Sequence, residues 1–145
     1  MIPLTRVMAS GVFDLIHTGH ISYLEQARSY GDELIVVVAC DSTVRRRKHE
    51  PITPEDMRAR IVGALKPVDR AIVGRDGDFF DTVREIRPDV IVLGFDQTFD
   101  IGKLEADLAE HGLDGIRVVR ANECADDLNA TRRIVKKIHE MGGSS

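Results

Sequence analysis

Three observations predict an α/β fold built on a parallel sheet. Five short apolar runs recur along the 145-residue chain, helical patterns fill the intervals, and several runs are continuously apolar instead of alternating. Continuous apolarity suits a strand covered on both faces, and strands alternating with helices are joined by crossovers into a parallel sheet. Right-handed crossovers leave chiefly doubly wound topologies. The expectation is a doubly wound five-stranded sheet with helices on both faces.

The strands are expected at 4–9, 34–40, 71–73, 90–93 and 116–119. Between the first two, Ile21, Leu24 and Ala27 share a helix face, and Gly31 marks a C-cap. "TPED" opens the next helix, with Thr53 as N-cap and Pro54 at the first position. Its apolar stripe is Met57, Ile61 and Leu65. A third helix runs from about Asp78 and ends before Pro88. A fourth carries Leu104 and Leu108 and stops near Gly112, and a last one starts near Asn129 and buries Ile134, Ile138 and Met141. No linker, repeat or low-complexity tract interrupts residues 1–141, which read as a single domain; 142–145 read as a flexible tail.

Composition narrows the function. The net charge of −4 argues against a general nucleic-acid binder. The longest apolar run, "LIVVVAC", is far below the ~18 residues of a membrane span, and the N-terminus has no signal-peptide pattern. Cys40 and Cys124 show no CxxC spacing and read as reduced thiols of a cytoplasmic protein. His49, His111 and His139 read as surface residues without metal-ligand spacing.

In doubly wound sheets, ligands bind beyond the carboxyl ends of the strands. Strand one runs into "SGVFDLIHTGH". His17 and His20 straddle a helix start three residues apart, and Gly19 between them permits close approach to the backbone. A helix N-terminus with unbonded amides suits phosphate, and two imidazoles there can donate to oxygens that gain charge. The alternative is a capping pair without chemistry. Strand two runs into "RRRK", 45–48, read as a flexible cationic loop able to fold over a triphosphate, with Lys48 the favoured contact. Asp96, after strand four, is placed to accept from a ribose hydroxyl or base amine, and Gly94 permits close backbone approach. Asn129, Thr131, Arg132 and Arg133 stand at the start of the last helix, where arginines oppose the dipole unless they bind an anion.

"GVFDLIHTGH" resembles the GxFDxxHxGH signature of the cytidylyltransferase-like nucleotidyltransferases. Class I aminoacyl-tRNA synthetases share HxGH but are far longer. "GDELIVVVACDSTV", "MRARIVGALKPVDRAIVG" and "PDVIVLGFDQTFD" resemble the archaeal-type FAD synthases, which are FMN adenylyltransferases. The opening "FDLIHTGHISYLEQARSYGDELIV" is equally similar to glycerol-3-phosphate cytidylyltransferase and to the ADP-heptose synthase adenylyltransferase domain.

The resemblance implies a Rossmann-like nucleotidyltransferase domain, and FAD and pyrophosphate made from FMN and ATP with Mg²⁺. It implies that His17, His20, Lys48 and Arg58 are catalytic, and that backbone at Val12 and Phe13, with Asp14, Gly19, Asp96, Asn129, Thr131, Arg132 and Arg133, binds nucleotide. It also implies a homodimer. Three positions depart from the pattern. Relatives usually carry threonine where Val12 stands, many carry arginine at Cys40, and "NATRR" replaces a Ser/Thr-rich motif. CTP in place of ATP, other phosphate acceptors (glycerol-3-phosphate, heptose-1-phosphate), and a nucleotide-binding regulatory module without turnover remain open. Phe79, Phe80, Phe95 and Phe99 are candidates for an aromatic flavin pocket or for core.

Overall fold

A computed structural model of the chain describes residues 4–47, 49–77, 79–97, 99–124 and 131–142. Its elements run β1 (Arg6–Gly11), α1 (Thr18–Arg28), β2 (Glu33–Val38), α2 (Asp41–Arg47), α3 (Glu55–Gly63), β3 (Arg70–Val73), α4 (Phe79–Ile86), β4 (Val90–Leu93), α5 (Ile101–Glu110), β5 (Arg117–Arg120) and α6 (Thr131–Gly142). The five strands form one parallel sheet in the order β3-β2-β1-β4-β5. This is the expected doubly wound arrangement, and its switch point lies between β1 and β4.

Strand period two sorts the apolar runs onto two faces. Val7, Ala9, Val36, Val38 and Val92 meet Leu24 and Ala27 of α1 and Val62 of α3. On the other face Met8, Ile35, Val37, Ile91 and Val118 meet Val83 and Ile86 of α4 and Leu104 and Leu108 of α5. Both faces are dry, which is why the strands lack alternation. Truncating a fully buried residue such as Leu24 should cost about 2–5 kcal/mol.

Several local expectations are corrected. β1 ends at Gly11, not Ala9, because its pairing with β2 continues to Gly11 opposite Val38. Gly31 is not a left-handed cap: Ser29 closes α1, and Gly31 is needed because a Cβ there would stand 2.6 Å from the Thr5 carbonyl oxygen. Gly112 does take the left-handed form (φ 75°) after α5, with Leu113 N–H donating to Leu108 and Gly112 N–H to Ala109.

The basic segment 45–47 is no loop; it forms the last turn of α2. Thr53 does not cap α3, since Pro54 stands at the N-cap without a side-chain bond. The buried positions of α3 are Arg58 and Val62, while Met57 and Ile61 are exposed. The stripe is rotated because Arg58 finds four acceptors beneath the helix, which outweighs burial of Met57. α6 buries no residue; Ile138 and Met141 are exposed, contrary to expectation. Among the described residues, no helix is long and apolar enough to cross a membrane. The expected helix start at Asp78 and the tail at 143–145 lie outside the described residues; Gly142 closes α6.

Candidate active site at the carboxyl edge of the sheet

Beyond β1 the chain makes a tight turn into α1. Phe13 and Leu15 both have positive φ (57° and 55°), a conformation costing non-glycine residues about 1–3 kcal/mol each. Packing holds it: Phe13 is buried, its ring 5.3 Å from His20 and stacked 6.4 Å from Tyr23. Gly11 leaves room for that ring, since a Cβ there would lie 3.0 Å from Phe13 Cε2.

The two histidines form a reciprocal cap. His17 is the N-cap of α1; its Nδ1 accepts from Gly19 N–H at 3.0 Å, and His20 Nδ1 accepts from His17 N–H at 3.3 Å. A ring that accepts at Nδ1 carries its proton on Nε2. The cap therefore selects, in both imidazoles, the tautomer that donates from Nε2. The rings stack with centroids 3.8 Å apart. Burial pushes His17 below its ordinary pKa, and the Asp96 carboxylate pulls it partly back. A neutral pair can stack without charge repulsion. The helix start is less open than expected: Gly19 N–H is taken by His17, and His20 N–H bonds the His17 carbonyl.

Asp14 is 4% exposed. Its Oδ2 accepts from Ile52 N–H at 2.7 Å, and its Oδ1 accepts from Thr53 N–H (3.0 Å) and Thr53 Oγ1 (2.7 Å). Burial raises its pKa, but these bonds and the charge of Arg58 outweigh burial and hold it below the ordinary carboxylate value. The resemblance implies that Asp14 binds nucleotide; its carboxylate is engaged by the 52–53 segment. Its carbonyl accepts from Thr131 Oγ1 at 2.7 Å, which ties the start of α6 to the β1 turn.

Arg58 is fully buried. It donates to the carbonyls of Thr53 (2.9 Å), Val12 (2.8 Å) and Ala39 (2.8 Å) and to Asp41 Oδ1 (2.5 Å). It was expected to be a catalytic cation. With these four bonds it instead joins the turn after β1, the exit of β2, the start of α2 and the approach to α3.

The other candidate residues distribute around this centre. Asp96 is exposed in the turn after β4, where Gln97 Oε1 accepts from Gly94 N–H at 2.8 Å. Its charge acts on His17 from across the β1–β4 crevice. Arg132 and Arg133 are exposed in the first turn of α6. Lys48 and Asn129 lie outside the described residues. Two cations of α2 are engaged: Arg46, with Ser42 Oγ, bonds Asp76 just past β3, and Arg45 pairs with Glu50. Of the four phenylalanines, Phe79 and Phe80 pack against the core, while Phe95 and Phe99 are exposed after β4.

Sequence reasoning passed over Thr53 as the partner of Asp14, Asp41 as the partner of Arg58, and Tyr23. The spacing of Tyr23, one turn beyond His20, is its only sequence signal. Tyr23 Oη donates to the Val92 carbonyl at 2.6 Å and accepts from Ser10 N–H at 3.2 Å.

A doubly wound sheet with a histidine pair at the first helix start and an acidic turn across the switch point places these residues where such sheets bind ligands. Comparison with known proteins specifies the site further. Residues 8–139 match the cytidylyltransferase-like family, and the chain belongs to it. An FAD synthase of Aciduliprofundum boonei is 52% identical over 93% of this chain and 91% of its own length. An FAD synthase of Thermoplasma acidophilum is 48% identical over 97% and 98%. The crystal structure of the lipopolysaccharide core biosynthesis protein from Thermoplasma volcanium GSS1 superposes with a TM-score of 0.82 at 46% identity, covering 84% of this chain and 99% of that one.

Proposed function

We propose that the chain is an FMN adenylyltransferase: it transfers AMP from ATP to the phosphate of FMN, giving FAD and pyrophosphate. The observation that carries the chemistry is the histidine pair, whose Nδ1 atoms are committed to backbone amides so that both rings donate from Nε2. The acceptor rests on the FAD synthases that match nearly the whole chain.

An oxygen of the FMN phosphate attacks the α-phosphorus of ATP in line. The bond from that phosphorus to the bridging oxygen breaks, and pyrophosphate leaves with the electron pair. His17 and His20 donate to the phosphate oxygens that gain charge, so catalysis is positioning and electrostatic stabilisation. Neutral imidazoles suit this role, because it needs hydrogen-bond donors and no proton transfer. Thr131, Arg132 and Arg133, with Asn129, receive the β- and γ-phosphates, and Lys48 joins them from the segment after α2. Asp96 takes the nucleoside, with backbone at Val12 and Phe13 and the small Gly19 lining the approach. Phe95 and Phe99 offer exposed ring faces for a planar base or flavin. Arg58 and Asp14 act as positioning residues that hold the loops.

The divalent cation belongs to the substrate, MgATP. Among the described residues no three His, Cys, Asp or Glu side chains converge on a metal site. The triphosphate supplies oxygen ligands of the kind Mg²⁺ takes. We also place the enzyme in the cytoplasm and propose a homodimer; Ile138 and Met141 on α6 are apolar surface that a second copy would bury.

A second reading keeps the same chemistry with another acceptor, heptose-1-phosphate, because the opening motif is equally similar to the ADP-heptose synthase adenylyltransferase domain. Chromatography of products decides. The protein is incubated with Mg²⁺ and ATP or CTP against FMN, heptose-1-phosphate and glycerol-3-phosphate. FAD formation supports the reading. ADP-heptose or CDP-glycerol without FAD replaces the acceptor, and no product with bound nucleotide favours a regulatory module.

A further inference from the structure

The β1–β4 seam opens where the site begins. β1 pairs with β2 as far as Gly11 opposite Val38, but with β4 only as far as Ala9 opposite Val92. Tyr23 stands at the next rung. Its hydroxyl takes the amide proton of Ser10 (3.2 Å) and gives its own to the Val92 carbonyl (2.6 Å), with the Ser10 carbonyl 3.3 Å away. One hydroxyl thus bonds both strands at the point where their pairing ends. From this point β1 leads to His17 and β4 leads to Asp96. Burial, opposed by the Ser10 amide and aided by Asp96, holds the hydroxyl far above its ordinary pKa, so it stays a donor. Its ring stacks on Phe13, which touches His20.

We propose that Tyr23 is a positioning residue: its hydroxyl sets the width of the β1–β4 crevice and so fixes the histidine pair relative to the nucleoside turn at Asp96. The inference rests on the reading of this crevice as the nucleotidyltransfer site. Catalysis by alignment is sensitive to displacements of about 1 Å. A spacer at the base of both lips acts on that distance without touching substrate.

The test is Tyr23→Phe in the full chain, which keeps the ring and its stack on Phe13. Without the hydroxyl, Ser10 N–H and the Val92 carbonyl can pair directly and the lips approach. Two measurements follow. In steady-state assays of pyrophosphate release, kcat should fall by about tenfold or more while KM for MgATP stays within about twofold, the pattern of a transition-state loss. In an NMR titration of the nucleotide-free protein, the His17 ring, which faces the stacked His20 ring and the Asp96 carboxylate, should titrate at higher pH as Asp96 nears. Wild-type kcat with wild-type His17 titration would overturn the proposal. So would a loss of kcat that disappears on cooling below the variant's melting onset, which marks a purely structural role. Where the two measurements disagree, the titration decides. It needs no acceptor, so wild-type failure to make FAD would remove FMN as substrate and leave this inference tested.

Discussion

Arg58 offers the sharpest test of how the site is held, because two readings of it predict different losses. If it contacts the triphosphate, its removal weakens nucleotide binding and leaves the fold intact. The structure instead makes it the donor that joins four segments through Thr53, Val12, Ala39 and Asp41. Arg58→Met keeps much of the apolar stem and removes every donor. The Asp41 side chain is 18% exposed and loses its cation, and three carbonyls lose a charged donor. Breaking a buried ion pair costs about 3–5 kcal/mol. Hydration of loop carbonyls at the sheet edge keeps the total inside that range. At about 3–4 °C per kcal/mol for a chain of this size, the melting temperature should fall by roughly 9–20 °C. Arg58→Lys keeps the charge, but a single ammonium cannot span these acceptors, so about 2–3 kcal/mol should be lost. Urea unfolding and calorimetry give both numbers, with titration of an ATP analogue alongside. A methionine variant that melts within about 3 °C of wild type yet fails to bind the analogue would show that Arg58 serves the nucleotide instead.

His17→Asn should lower turnover by about 10²–10³ through loss of one transition-state donor. Asparagine still accepts from Gly19 N–H, so its unfolding free energy should match wild type, whereas His17→Ala should also lose about 1 kcal/mol of capping; equal turnover in wild type and His17→Asn would remove the ring from the chemistry. Asp14 has a folded pKa below its ordinary 3.8, so its contribution is present above the unfolded value and is lost as pH falls through the folded one. Thr53→Val removes one stabilising bond and should move the acid-unfolding midpoint, followed by circular dichroism, to higher pH; an unchanged midpoint contradicts the assignment. Gly31→Ala places a Cβ 2.6 Å from the Thr5 carbonyl oxygen and 2.8 Å from Val7 Cγ2, and should cost about 1–3 kcal/mol in urea unfolding.

The strands and the turn into α1 were legible because each is a local signal: a continuous apolar run, or a histidine–glycine–histidine spacing at a strand end. What escaped depends on distant partners. α2 buries only Val44 and shows no apolar periodicity, so its basic last turn, 45–47, looked like part of a loop. The phase of α3 was misread because a buried arginine is polar in any sequence pattern, and three of its four acceptors are backbone carbonyls that no side-chain pattern records. Thr53 has the chemistry of an N-cap, but Asp14, 39 residues away, competes for its hydroxyl. Tyr23 bonds Ser10 and Val92 at separations of 13 and 69 residues, and its role exists only once the strands diverge. For α6 the apolar stripe was visible, but nothing in a stripe says whether the chain's own body covers it.

The sequence left open whether the histidine pair is a helix cap or a catalytic device; the structure shows the cap, and the proposed catalytic role is compatible with the same arrangement. An imidazole has two nitrogens, and a cap uses only one. By donating to Nδ1, the Gly19 and His17 amides place each proton on Nε2, the tautomer that the proposed role at a developing phosphate charge requires. The cap also fixes each ring's orientation, since a rotation that breaks the catalytic pose breaks a hydrogen bond of the helix start. Protonation works against both functions together: a charged ring carries a proton on Nδ1 and cannot accept from the amide. The site therefore favours neutral rings for structural reasons, in keeping with the lowered pKa of His17. Stability, and with it the proposed activity, should decline as His17 takes up a proton, since its pKa is lowered in the folded chain.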